Sequence, residues 1–176
     1  MPGSVFLAGD RLALWTVEPE DYEFIRNHWN RPSNRRMTNR RKPLSDGQIA
    51  SYIAENDDPR AHFIPCRNGE PVGFIWFPQI DDVSGYGEIG YWICEEHRGS
   101  GYATEALQLA VEYGFDDRRL HKLMARVFEQ NKASMRVLEK VGFQREGRLR
   151  SHYYVNGEYV DAFVFGLLRE EFENSR

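Results

Sequence analysis

The residues best suited to chemistry are Arg98-Gly99-Ser100-Gly101-Tyr102-Ala103. Two glycines let the backbone turn tightly and come close to a ligand. The apolar positions Ala103, Ala106, Leu107, Ala110, Val111 and Gly114 recur on one face and predict a helix over 101–115. The turn therefore opens a helix whose first N–H groups lack partners and whose dipole adds positive potential, a site suited to a diphosphate. The stretch lacks the GxGxxG spacing of a dinucleotide fold and the GK[ST] of a triphosphate loop. An ordinary strand-to-helix connection can look the same, so the flanking segments decide.

Upstream, Glu88-Ile89-Gly90-Tyr91-Trp92-Ile93 closes a predicted strand over 86–93. Downstream, a strand over 122–128 precedes Asn131-Lys132-Ala133-Ser134, which opens a helix over 131–141. Ser134, Val137, Leu138 and Val141 form its inward face, and Gly142 stops it. With these flanks the chain resembles the GNAT superfamily of acetyl-coenzyme A-dependent N-acetyltransferases. Residues 98–103 look like its R/Q-x-x-G-x-G/A signature. Asn-x-x-Ser followed by Lys-x-Gly-Phe, with Glu146-Gly147 beyond, looks most like the RimJ/RimL branch, which acetylates N-terminal amines of ribosomal and other proteins. The resemblance covers residues 11–168 and is most specific over 87–143.

The resemblance implies a donor, acetyl-CoA, whose pyrophosphate meets the backbone amides of Arg98, Gly99, Ser100, Gly101, Tyr102 and Ala103. It lays the pantetheine along Tyr91, Trp92 and Ile93 and sets Asn131 near the thiol-bearing arm; Asn131 is also a natural helix N-cap. Lys140 reads as a solvated helix lysine that could reach the phosphates. Glu88 occupies the place of a catalytic base, with a surface or paired strand carboxylate as the alternative. Many relatives carry an acid tyrosine seven residues after the asparagine, and here that position is Leu138. Ser134, one turn earlier, is the remaining donor for the departing sulfur. Tyr153 and Tyr154, before an Asn156-Gly157 turn that Asp161 follows, are expected to line the acceptor pocket. The thioester carbonyl is expected to meet a backbone N–H near Trp92 or Ile93.

Direct transfer needs a neutral amine. Neutralising a lysine-type amine at pH 7 costs about 4.6 kcal/mol, and an α-amine only about 1.1 kcal/mol. A strong base is thus optional for a protein or peptide N-terminal acceptor. A polyamine, an amino sugar or an antibiotic is the alternative acceptor, and a non-catalytic acetyl-CoA-binding module the alternative from another class. Net charge is −4, yet residues 26–42 carry seven cations (Arg26, Arg31, Arg35, Arg36, Arg40, Arg41 and Lys42) and no carboxylate. Read as a loop at the acceptor mouth, this run would repel a polyamine and attract an acidic acceptor. Without interleaved aromatics or a motif it argues against nucleic acid as a partner.

Positioning these residues takes a fold of the α/β (α+β) class. The expected GNAT sheet is mixed and mostly antiparallel, of six to seven strands, with helices on both faces and a splayed central pair of strands. Further strands are expected over 12–17, 62–66, 71–80, 144–150 and 159–168, with turns at Asn68-Gly69 and Asn156-Gly157. Helices are expected after Pro19 and after an N-capping Ser45. The chain of 176 residues fits a single domain over 1–176. Cys66 and Cys94 belong to no ligand cluster and read as buried reduced thiols, which suits the cytoplasm. His28, His62, His97, His121 and His152 show no metal spacing, so no metal is expected. No apolar run reaches membrane length. Apolar strand edges near the C-terminus would suit a homodimer.

Overall fold

The computed structural model describes residues 3–38, 42–54 and 60–175. Nine strands form one sheet: β1 (Val5–Ala8), β2 (Ala13–Thr16), β3 (Ala61–Arg67), β4 (Glu70–Pro71), β5 (Gly73–Asp81), β6 (Tyr86–Ile93), β7 (Lys122–Phe128), β8 (Gln144–Val155) and β9 (Glu158–Leu168). Their order is β1-β2-β3-β5-β6-β7-β9-β8, with β4 extending β3. All neighbours are antiparallel except β6 and β7. The expected mixed sheet is present, with more strands than the six to seven anticipated. The Asn68-Gly69 and Asn156-Gly157 turns take positive φ at both positions, as tight hairpins demand.

The helices are α1 (Tyr22–Asn30), α2 (Pro32–Met37), α3 (Asp46–Ile53), α4 (Tyr102–Glu112), α5 (Lys132–Val141) and α6 (Arg169–Glu173). Ser45 caps α3 in a reciprocal box: the Gln48 N–H donates to Ser45 Oγ, and the Ser45 N–H donates to Gln48 Oε1. Asn131 caps α5 by accepting from the Ser134 N–H at 3.1 Å. A π-helical turn, Tyr113–Asp117, extends α4 and presses Phe115 into the core.

Strand alternation sends side chains to two separate cores. On one face Phe63, Ile75, Ile89 and Phe165 meet Leu107, Val111 and Leu138 of α4 and α5. On the other, Ile64, Cys66, Phe74, Trp92 and Cys94 meet Ile25, Trp29 and Ile49 of α1 and α3. Both cysteines are free and buried, as expected. The C-terminal edge strand β8 is not apolar: Gln144, Arg145, Glu146, Arg150, Ser151 and His152 are exposed along it, which discourages edge pairing. Asp161 pins the bulge in β8, accepting from the Ser151 N–H at 2.8 Å and from the Arg148 guanidinium. These bonds hold its carboxyl below its ordinary pKa. No described helix is long and apolar enough to cross a membrane.

Candidate active site

The site begins where β6 and β7 part. They pair at Tyr86–Lys122, Gly87–Leu123 and Glu88–Met124 and no further, although β6 runs to Ile93 and β7 to Phe128. β6 meanwhile stays paired to β5 as far as Ile93. Its backbone therefore presents one unpaired edge to the fork. The Trp92 carbonyl points toward Gly73 of β5, and the Cys94 N–H donates to Val72 on the same side. By alternation, the main-chain groups of Tyr91 and Ile93 face the fork. The Ile93 carbonyl there accepts from Arg98 Nε at 3.1 Å. The expected N–H donor narrows from Trp92 or Ile93 to Ile93, with Tyr91 beside it.

A cleft of about 660 Å³ runs from this edge to the glycine turn. Tyr91, Trp92, Ile93, Arg98, Gly99, Gly101, Tyr102, Ala103 and Asn131 all line it. Ser100 does not; its carbonyl faces outward to accept from Arg11 Nη1 at 3.0 Å. Gly99 and Gly101 have φ of 78° and 82°, conformations that favour glycine. Arg11 braces the turn further by pairing with Glu105 at 2.8 Å on the first turns of α4. Lys132, Arg136 and Lys140 from α5 add cations to the wall, so Lys140 sits on the rim of the cleft as well as in solvent. Open amides, a helix start and a cationic wall together suit an extended phosphorylated ligand.

A second cleft of about 370 Å³ meets the first at the fork. Glu88, Tyr91, Asn131, Ser134 and Tyr153 line it together with Tyr52, Trp76, Phe128 and Arg126. Arg126 grips Glu88 through two hydrogen bonds, Nε–Oε1 at 2.8 Å and Nη2–Oε2 at 2.6 Å. Glu88 is thus a paired carboxylate, as one of its two sequence readings held. Trp76 enters this cleft because residue 90 is glycine: a Cβ there would fall 2.5 Å from the indole. The Tyr153 ring packs at a tilt against Phe128, and burial raises its hydroxyl pKa. Tyr154 lies outside, 53% exposed and edge-on to Tyr159, because neighbours on a strand face opposite ways.

The clefts share Met37, Thr38, Tyr91, Asn131 and Ser134. The Tyr91 hydroxyl lies 2.8 Å from Ser134 Oγ and 3.3 Å from the Ser134 carbonyl. Burial pushes the Tyr91 hydroxyl up to about 12, so it stays protonated. Leu138 is fully buried and offers no donor. The sequence placed Tyr91 along the cofactor but did not reveal this contact, because its partner is 43 residues away. Arg126, Arg11 and the roof residues Asn34, Met37 and Thr38 were also missed. Met37 and Thr38 line both clefts, and Asn34 Oδ1 accepts from Arg98 at 3.2 Å.

The basic run is helical in part, and Asn34, Met37 and Thr38 within it line the clefts, whereas none of its described cations does. Arg26 is paired with Glu23 and Asp46, and Arg31 lies 3.9 Å from Glu96. Arg35 and Arg36 make no ion pair among the described residues. Arg40 and Arg41 lie outside the described residues.

The acetyltransferase (GNAT) domain model matches residues 11–144, most of the chain. The chain belongs to the GNAT acetyltransferase family. An uncharacterized N-acetyltransferase, p20 of Bacillus licheniformis, is 31% identical over 171 residues, covering 93% of this chain and 96% of that one. In fold the chain is similar to a spermidine N-acetyltransferase from Vibrio cholerae, solved with CoA and spermine. Its TM-score is 0.89 at 24% identity, over 94% of this chain and 100% of that one. It is also similar to RimL, a ribosomal L7/L12 α-N-protein acetyltransferase solved with coenzyme A. There the TM-score is 0.84 at 17% identity, over 94% and 98%. This GNAT chain is an N-acetyltransferase, and its donor is acetyl-CoA.

Proposed function

We propose that this enzyme acetylates the α-amine of a protein or peptide N-terminus by direct transfer, as RimJ/RimL-type enzymes do. The observation that carries this reading is the charge balance of the second cleft. Among its described lining residues Glu88 is the sole carboxylate, and Arg126 neutralises it. Beside it stands α2, whose Arg35 and Arg36 make no ion pair among the described residues. A polyamine needs several carboxylates to replace its water; the described lining residues of this cleft offer none free of a cation. A neutral or acidic N-terminus suits it.

The amides of Gly99, Gly101, Tyr102 and Ala103, with the cations of α5, hold the pyrophosphate, and the free edge at Tyr91 and Ile93 receives the pantetheine. The Ile93 N–H stabilises the oxyanion as the amine attacks the thioester carbonyl. Glu88 still has lone pairs beyond the two that Arg126 occupies, and these receive the amine's proton. The C–S bond then breaks. Ser134 donates a hydrogen bond to the sulfur as charge develops, and Tyr91, always protonated, orders that hydroxyl. The amine supplies the net proton that the leaving thiolate requires.

The reading is tested by incubating the enzyme with acetyl-CoA and a panel of peptides differing in their first three residues, beside spermidine and amino sugars, and following free thiol. Peptides with acidic first residues should react best, and their KM should rise with salt. Spermidine as the best acceptor would reject the reading in favour of a small-amine enzyme. Binding of acetyl-CoA without turnover of any amine would favour a non-catalytic module.

A further inference from the structure

A second cluster lies behind the phosphate turn and outside both clefts. His28 of α1 is buried, and its Nδ1 lies 2.9 Å from the Phe24 carbonyl. A carbonyl only accepts, so Nδ1 carries the proton and Nε2 is left with its lone pair. Nε2 lies 3.4 Å from the Sγ of Cys94, at the end of β6. A carboxylate oxygen of Glu96, two residues on, joins them, and the three atoms lie within 4.8 Å of one another.

We propose that His28 Nε2, Cys94 Sγ and Glu96 form a binding site for a thiophilic divalent cation of the zinc type, distinct from the acetyl-transfer site. Zinc–sulfur and zinc–nitrogen bonds of about 2.3 and 2.0 Å at a tetrahedral angle place sulfur and nitrogen about 3.5 Å apart. The observed 3.4 Å already meets this. The Nδ1–H bond to a main-chain carbonyl is the outer contact that fixes a ligating imidazole. Cys94 and His28 are nearly inaccessible while Glu96 is exposed, so the ion enters from the Glu96 side and keeps water in its fourth position. Arg31, 3.9 Å from Glu96, must release it first.

Binding exchanges the Cys94 S–H bond for a sulfur–metal bond and frees one proton to solvent. The cluster also touches the transfer site from behind. His28 stacks on Trp92, which lines the donor cleft, and residues 95–97 form the turn that leads into Arg98. Occupancy would stiffen the approach to the phosphate turn. The sequence hid this site because its two buried ligands are 66 residues apart.

Cobalt(II) tests it, since thiolate ligation gives intense near-ultraviolet charge-transfer absorption. One equivalent should produce that band in the full chain and in Cys66→Ser, the other free cysteine. Cys94→Ser should abolish it, and His28→Gln should weaken binding at least about tenfold. Titrations in buffers of different ionisation enthalpy should report about one proton released. No thiolate band, or a band that survives in Cys94→Ser, would overturn the proposal. Should Cys94→Ser fail to fold, X-ray absorption of the zinc-loaded wild type decides. One sulfur at about 2.3 Å supports the site, and a shell of nitrogen and oxygen alone overturns it.

Discussion

Arg126 clasps Glu88 across the fork two residues beyond the last rung at which β6 and β7 still pair. The clasp does two jobs. It spans the point where the strands separate, and it cancels the one carboxylate charge among the described lining residues of the second cleft. The pair's carboxylate raises the Arg126 pKa above its ordinary value, so the cation is permanent.

Glu88→Gln tests whether the clasped carboxylate still takes a proton. If it does, wild type can use a protonated amine, while the variant must wait for amine already neutral in solution. The wild-type to variant ratio of kcat/KM should therefore grow as pH falls from 8 to 6, reaching on the order of tenfold or more. A ratio constant across that range would leave Glu88 only its pairing role.

Ser134→Ala should lower kcat about 100-fold while changing the KM for acetyl-CoA little, because the donor acts as the C–S bond breaks. Tyr91→Phe keeps the ring and removes only the hydroxyl at 2.8 Å. It should cost roughly tenfold in kcat, the worth of about one hydrogen bond. A large rise in KM with kcat intact would make both residues simple contacts for the cofactor.

The turn makes a comparison between two glycines possible. A Cβ at Gly99 meets nothing within 4 Å, whereas one at Gly101 meets Arg11 Nη2 at 3.2 Å. Both sit at positive φ, so alanine at either costs roughly 1–2 kcal/mol in backbone strain. Gly101→Ala should additionally disturb Arg11 and the start of α4. Calorimetry should find acetyl-CoA binding weakened more by Gly101→Ala than by Gly99→Ala.

The sequence made legible what depends on local chemistry. Asn-Gly turns, the Ser45 cap, the Asn131 cap and the glycine turn all carry their own signals, and the structure has each in place. Three short elements escaped. α2 lacks apolar periodicity and is held by Asn34, whose Nδ2 donates to the His28 carbonyl at 2.8 Å. β1 has four residues and only β2 to pair with, and α6 owes its place to Phe172 against Phe115. In the site, cofactor-facing residues were readable because they are contiguous. The partners of Glu88, Tyr91 and Cys94 come from distant segments, and no spacing rule reaches across 38, 43 or 66 residues.

A structure of the enzyme with bound CoA tests the central claim most directly, that the two clefts meet where sulfur leaves. The diphosphate should lie on the amides of Gly99, Gly101, Tyr102 and Ala103, with the sulfur within hydrogen-bond reach of Ser134 Oγ. A thiol arm that runs away from the fork, its sulfur beyond the reach of Ser134 and Tyr91, would contradict it.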